Sequence, residues 1–364
     1  MKKVVVVHMR NDLSGSTRVL SQAVQELFDA GHSIELYCST IDYPGFLSEL
    51  PSEISLHHIP YKRFGRPWGT FVSYLIAQVW LLFSLFKYIF QPVVVYVNTV
   101  LPFGGALAGW LMRKRVVYHV HEISLAPAPW ILKKWLFGVL HVTANKAIVV
   151  SDYLASELNL PPSKSIRVHN VLSSEFMSEA ESYNIRRTDS HEFGVLMVCS
   201  LAKYKGVVHF LELARKKPDL NFELLLNATQ LEIDHFFQEE NIPSNLYIYS
   251  EHRDVHPFYQ KASVVLNLSD PDEHIETFGM SVLEGMVYGL PCIVPTKGGV
   301  RELIDDHMQG YLINCTDHEL ILATISKLKE EKDLYKKMSV AAIEKAGHFS
   351  LERFGRGVLN AVLE

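Results

Sequence analysis

The residues best placed to do chemistry lie in the segment Glu276-Thr-Phe-Gly-Met-Ser-Val-Leu-Glu284-Gly-Met-Val-Tyr-Gly289-Leu-Pro291. Two carboxylates stand eight residues apart, the first in a loop and the second inside a helix expected to start near Phe278, with Thr277 as the candidate N-cap. The unpaired N–H groups of Phe278, Gly279, Met280 and Ser281 would then open the helix and form an anion site that needs no side chain. Gly279 would let a ligand approach the backbone closely. Glu276 could accept hydrogen bonds from hydroxyls on one side of that anion, and Glu284 from hydroxyls on the other. A phosphate between two polyols is the chemistry of a nucleotide sugar. A solvated pair of glutamates on a surface helix is the plain alternative.

Four further elements could contribute. Cys199-Ser-Leu-Ala-Lys-Tyr-Lys205-Gly206 lies between a strand and a helix. An ammonium at a strand's carboxyl end could neutralise a departing diphosphate. The loop Asn11-Asp-Leu-Ser-Gly15-Ser16-Thr17-Arg18 follows the first strand and is not GxGxxG, which disfavours dinucleotide binding. In His119-Val-His121-Glu122, strand alternation puts both histidines on one side. No third or fourth ligand stands at useful spacing, so a metal pair is disfavoured there. Asp270-Pro-Asp272 is a D-x-D that could hold a divalent cation, but it reads more simply as a solvated acidic loop.

The E-x7-E element, followed by Gly289-Leu-Pro291, Gly298-Gly299 and Glu302, resembles the family 4 (group 1) retaining glycosyltransferases of GT-B architecture. The resemblance covers nearly the whole chain. It implies that Glu276 contacts the donor sugar, that Glu284 holds the ribose, that Lys205 faces the diphosphate and that His121, with His119 as fallback, contacts the sugar. Gly15 matches a glycine near the diphosphate and acceptor, although relatives usually carry two adjacent glycines. Ser200 stands where the family has an arginine, a fork that serine cannot copy, and Lys203 is the candidate to compensate. Leu226–Thr229 lacks a glycine-rich turn common in the family. The catalytic set is therefore Glu276, Lys205 and His121. The substrate-binding set is Gly15, Ser200, Lys203, Phe278, Gly279, Met280, Ser281 and Glu284, with no metal and no cofactor besides the nucleoside-diphosphate sugar substrate. The implied reaction is transfer of a hexosyl group, with retention, to an acceptor hydroxyl that is lipid-linked or part of a surface polysaccharide. A non-catalytic nucleotide-sugar-binding subunit and an epimerase or phosphorylase of the same fold are the alternatives.

The elements that must position these residues fit that implication. The 364 residues suit about two domains. Short apolar strands alternate with longer helical stretches, the pattern of parallel sheets covered on both faces. Strands are expected at Lys3–His8, Ser33–Cys38, Val93–Val97, Arg115–His119, Lys146–Val150 and Ile166–His169. A second series is expected at Phe193–Ser200, Phe222–Leu226, Leu246–Tyr249, Ser263–Leu268 and Pro291–Val294. The fold class is thus α/β, two Rossmann-like doubly wound domains facing across a cleft. Residues 1–172 form the acceptor-binding domain and 173–192 a polar linker. Residues 193–350 form the nucleotide-sugar domain, and 351–364 a terminal helix that could pack back on the first.

Composition excludes other classes. Hydrophobic residues are 48% and charged residues 21%, which rules out a disordered chain. Four scattered cysteines fit a reducing compartment. Nothing resembles a nucleic-acid module. Residues 1–190 hold 18 Lys and Arg against 14 Asp and Glu; the remainder hold 17 against 26, so only the first half suits an anionic partner. Phe71–Phe86 is 16 residues without a charge, short of the ~20 needed to span a bilayer. It reads first as a buried helix and second as a helix lying in a membrane surface. The expected location is cytoplasmic, with peripheral contact to anionic membrane at the inner face.

Overall fold

The structure, a computed structural model, describes residues 2–39, 45–123, 129–185, 192–252 and 254–364. The chain divides into two compact units, residues 1–170 with 352–364, and residues 171–351.

In the first unit a run of buried valines makes the central strand β1 (Lys3–Arg10). Then follow α1 (Gly15–Asp29), β2 (Ser33–Ser39), β3 (Ser55–His58), α2 (Pro67–Leu85), β4 (Val93–Asn98), α3 (Phe103–Leu111), β5 (Arg115–Val120), α4 (Trp130–Thr143), β6 (Lys146–Val149), α5 (Asp152–Leu158) and β7 (Ser165–Arg167). The seven strands are parallel in the order β3-β2-β1-β4-β5-β6-β7. The order reverses between β1 and β4, and ligands of doubly wound sheets bind beyond the carboxyl ends of strands at such a point.

The second unit opens with α6 (Ser174–Ile185), then β8 (Gly194–Ser200), α7 (Val207–Lys216), β9 (Asn221–Asn227), α8 (Gln230–Phe236), β10 (Leu246–Tyr249), α9 (His256–Lys261), β11 (Val264–Leu266), α10 (Met280–Val287), β12 (Cys292–Val294), β13 (Gly310–Leu312), α11 (His318–Glu330) and α12 (Lys332–Ala346). Its six parallel strands run β10-β9-β8-β11-β12-β13, with the reversal between β8 and β11.

Two Rossmann-like parallel-sheet units are therefore present, as the strand and helix alternation predicts. Three readings need correction. The polar stretch 173–192 is helical over Ser174–Ile185 and belongs to the second unit, where the Gln260 side chain donates to the Tyr183 carbonyl oxygen at 2.9 Å; residues 186–191 lie outside the described residues. Strands β3 and β13 were not expected. Each is short, and β13 needs Gly310, where a Cβ would stand 1.9 Å from the Cys292 carbonyl oxygen. Finally, the uncharged stretch is a helix buried on one stripe only; Trp68, Phe71, Ile76, Val79 and Phe83 are exposed.

The terminal helix α13 (Leu351–Leu363) docks on the first unit through two glycines. A Cβ at Gly357 would meet Val168 at 2.6 Å, and the Arg115 guanidinium donates to the Ala361 carbonyl oxygen at 2.9 Å.

Candidate active site

Both strands at the switch point of the second unit lead into a candidate residue. β8 ends at Ser200, and a tight turn over Lys203–Lys205 follows, closed by Gly206 at φ +82°. A Cβ at Gly206 would lie 2.2 Å from the carbonyl oxygen of Leu268, two residues past β11. The absence of a side chain there lets the two loops press together. Lys205 Nζ then donates to Glu276 Oε2 at 2.7 Å, although 71 residues separate them. Ser269 Oγ donates to the same oxygen at 3.5 Å. The Glu276 backbone is held as well. The Gly299 N–H donates to its carbonyl oxygen at 2.8 Å.

Burial opposes charge on both members of this pair. The ammonium outweighs it for Glu276, whose carboxyl is held below the usual carboxylate range. The carboxylate likewise outweighs it for Lys205, raised above the usual lysine value. His274 is stacked on Tyr204 with ring centroids 4.7 Å apart, and burial with the nearby ammonium pulls it down to about 4. Its buried Nδ1 has no partner among the described residues. Nothing in the spacing marked His274 beforehand.

The helix start differs from expectation. α10 begins at Met280, and its N-cap is Gly279 at φ +96°, not Thr277. The left-handed backbone is what glycine tolerates, and a Cβ there would also meet Val300 at 2.6 Å. The first-turn amides of Met280 and Ser281 lack intrahelical acceptors by geometry. Phe278 and Gly279 stand in the loop before them, with the Phe278 ring buried edge-on against Phe349 at 5.8 Å. Glu284 is 5% exposed and accepts from the Tyr259 hydroxyl at 2.7 Å. Ser200 and Lys203 are exposed on the β8 loop. The glycine-poor stretch Leu226–Thr229 has a local explanation: Thr229 and Glu232 form a capping box that starts α8. Asp270 Oδ1 accepts from the Asp272 N–H at 2.9 Å. Asp270 also gathers with His209 and Cys315, their ligating atoms all within 4.8 Å of one another.

In the first unit, His121 follows β5 and is buried. Its Nε2 is 2.9 Å from Asn98 Oδ1, and Asn98 Nδ2 is 3.1 Å from His8 Nδ1. His8 Nε2 is 3.0 Å from Thr17 Oγ1, and that hydroxyl donates to Asp12 Oδ1 at 2.7 Å. The Ser16 carbonyl oxygen near Asn98 Nδ2 can only accept, and this sets the orientation of the amide. His121 donates to Asn98, Asn98 to His8, His8 to Thr17 and Thr17 to Asp12, which assigns both tautomers. Asn98 also donates to the Ser16 carbonyl oxygen at 3.3 Å, beside Gly15. Gly15 is the first residue of α1 rather than part of a longer loop, and a Cβ there would meet nothing within 4 Å. Sequence reading found His121 and Gly15 but not His8, Asp12, Thr17 or Asn98. His8 and Asn98 lie toward the carboxyl ends of β1 and β4, Asp12 just beyond β1 and Thr17 in the first turn of α1, and only strand order shows that they meet His121.

Burial lowers the histidines here: His8 to about 4, despite the nearby Asp12, and His119 to about 3. Unfolded histidine titrates near 6.5, so the unfolded chain binds protons first. Their stabilising contribution is complete above about pH 6.5 and is lost as pH falls toward 4. Thermal unfolding should give a lower Tm at about pH 5 than at about 7.5, with a smaller drop in His119→Phe. A parent Tm that did not change over this range would contradict the neutral cluster.

Residues 179–345 match the family "Glycosyl transferases group 1" and residues 13–175 match "Glycosyltransferase Family 4". The chain belongs to the group 1, family 4 glycosyltransferases. An uncharacterized glycosyltransferase of Methanocaldococcus jannaschii is 26% identical over 263 residues, 70% of each chain. Among solved structures, Anabaena HepE in complex with UDP and glucose superposes with a TM-score of 0.79, at 15% identity and over 99% of both chains. HepE has also been solved with UDP-glucose. WaaG, a glycosyltransferase involved in lipopolysaccharide biosynthesis, gives 0.74 at 14% identity, again over 99% of both chains. These similarities carry the GT-B fold, and the matched families carry glycosyltransferase activity.

Proposed function

We propose that the protein transfers a hexosyl group, with retention of configuration, from a nucleoside-diphosphate sugar to an acceptor hydroxyl. The observation that carries this reading is the partly buried Lys205–Glu276 pair at 2.7 Å, three residues ahead of the Gly279 cap of α10. Breaking the glycosyl bond builds cation at the anomeric carbon and anion on the leaving diphosphate. Lys205 and the first-turn amides of α10 supply fixed positive potential for that anion, and Glu276 orients sugar hydroxyls. Phe278 and Gly279 contribute backbone beside the same anion. Ser200 and Lys203 complete the phosphate contacts, with lysine supplying charge in place of the family arginine. Glu284, steadied by Tyr259, takes the ribose. His121 contacts the sugar and Gly15 leaves room for the diphosphate and acceptor. The HepE complexes with UDP and UDP-glucose support the donor class. A thermal-shift panel of nucleotide sugars should give stabilisation by at least one, and nuclear magnetic resonance of the product should show the donor's anomeric configuration. Inverted product would remove retention; no shift with any donor would remove the donor assignment.

The Asn98 relay predicts a positioning effect. Asn98→Leu removes the acceptor that orients His121 and should lower kcat about tenfold, the size of one well-aligned hydrogen bond, with donor KM little changed. An unchanged kcat would take His121 out of the reaction.

Since lysine and amides can carry the leaving charge, the reaction is proposed to need no metal. Activity should survive EDTA. A loss restored by manganese would turn attention to Asp270 and Asp272.

The acceptor is proposed to be lipid-linked or a surface polysaccharide, met at the inner face of the cytoplasmic membrane. WaaG's involvement in lipopolysaccharide biosynthesis supports this class.

A further inference from the structure

Helix α2 carries apolar side chains on both sides. Its buried stripe mixes Ser73, Tyr74 and Gln78 with Ala77, Leu81 and Leu85. Its solvent-facing stripe is Trp68, Phe71, Val72, Leu75, Ile76, Val79 and Phe83, all apolar and none less than 40% exposed. The spacing of these residues, by threes and fours, keeps them on one side of the helix. Among the described residues α2, with the turn after it, is the one helix long and apolar enough to cross a membrane, yet only a third of its most apolar window is buried.

The buried stripe shows why α2 stays on the protein. The Tyr74 hydroxyl donates to the Leu101 carbonyl oxygen at 2.6 Å, and Gln78 Oε1 accepts from the Gly104 N–H at 2.9 Å. A Cβ on Gly104 would lie 2.1 Å from the Gln78 carbonyl oxygen, so α2 and α3 touch backbone to backbone. A spanning helix would have to abandon these bonds and carry the same polar groups into hydrocarbon. α2 therefore lies along a surface.

The exposed apolar surface does not end with α2. The connections leading to β4, β5 and β6 all cross the sheet in one direction, and right-handed crossovers put α2, α3 and α4 on one face. Phe103 of α3 sits edge-on to Tyr74 at 5.9 Å and to Trp135 of α4 at 4.3 Å. α3 adds exposed Trp110 and Leu111, and α4 adds Trp130, 71% exposed, and Ile131. All five tryptophans of the chain lie on these three helices. Tryptophan suits the boundary between headgroups and acyl chains, where an apolar ring carries a polar tip.

Charge identifies what covers this face. Residues 54–151 contain ten lysines and arginines and one acid, Glu122, which is outside the three helices. Lys62, Arg63 and Arg66 are exposed just before α2, Arg113 just after α3, and Lys134 on α4. At the start of α2 a groove of ≈ 480 Å³ is lined by Phe64, Arg66, Trp68, Val72 and Ile76, apolar wall beside guanidinium. An acyl surface under phosphate headgroups calls for both properties at once, apolar side chains at the centre and basic ones at the margin.

We infer that the joint face of α2, α3 and α4 docks in the plane of an anionic lipid bilayer, with tryptophan and phenylalanine in the headgroup–acyl boundary and the flanking basic residues on lipid phosphates. The surface belongs to the first unit and the Lys205–Glu276 pair to the second, and its test needs no catalysis.

Purified full-length protein is sedimented with vesicles of pure phosphatidylcholine, or of equimolar phosphatidylglycerol and phosphatidylcholine. Partition onto the anionic vesicles should be at least tenfold greater, fall with added salt, and shift tryptophan emission to the blue. The double variants Trp68→Ser with Phe71→Ser, and Arg63→Glu with Arg66→Glu, should each lower it tenfold or more. All four side chains are exposed, so Tm should not change. Glu276→Ala should partition like the parent, which keeps failure of docking distinct from failure of the transfer reaction. Equal partition onto both vesicles, or double variants that bind like the parent, would overturn the inference. So would a lipid-free parent that sediments as a dimer and becomes monomeric in the Trp68→Ser and Phe71→Ser variant, since a second copy would then be the occupant.

Discussion

Glu276→Ala and Lys205→Ala are each expected to lower turnover by ~100-fold or more, the range seen when a preorganised charge is removed from a transition state. The two differ in cause. Lys205→Ala removes the ammonium from the leaving diphosphate and also leaves the partly buried Glu276 without its counter-ion at 2.7 Å, so Tm should fall as well. Glu276→Gln keeps volume and hydrogen bonding while removing charge, and should retain more stability than Lys205→Ala. Because the residues touch, the double variant should lose far less than the product of the two single losses. Steady-state kinetics on the donor identified by thermal shift, run beside thermal melts, would test this. Near-normal kcat in both single variants would end the assignment.

Gly298→Ala should be nearly as damaging, although the residue carries no functional group. Gly298 has φ +103° and ψ 173°, a region essentially confined to glycine and costing roughly 1–3 kcal/mol for any other residue. An added Cβ would lie 2.6 Å from the Glu276 carbonyl oxygen, so backbone must shift. Displacement of a catalytic group by about 1 Å can cost about 100-fold. The variant should therefore melt earlier and lose turnover with its charges intact. Full activity in Gly298→Ala would mean that the Glu276 backbone is not held from this side.

How much of this was legible beforehand varies by feature. Periodicity sufficed for β1, where valines run unbroken, and for β10, whose bounds at Leu246 and Tyr249 match the expected ones. It failed at β3, whose Ser55-Leu-His-His holds a single apolar residue, and at β13, which opens on Gly310; both are specified by their neighbours. It also misplaced the start of α10. Thr277 has the chemistry of a cap, but the tight approach of Val300 to Gly279 favours a left-handed glycine there.

The sequence alone determined the doubly wound class and the uncharged stretch of α2, and it singled out Glu276 and Lys205 as candidates, because side-chain chemistry and local periods of two and 3.6 residues are properties of neighbouring positions. It did not determine that Lys205 meets Glu276, that Asn98 joins His121 to His8, or that α2 leaves an apolar stripe exposed. Those depend on which strands lie next to each other and on which helix face the sheet covers. Contacts across 71 or 90 residues are set by strand order and close glycine packing, and only the folded chain brings them together.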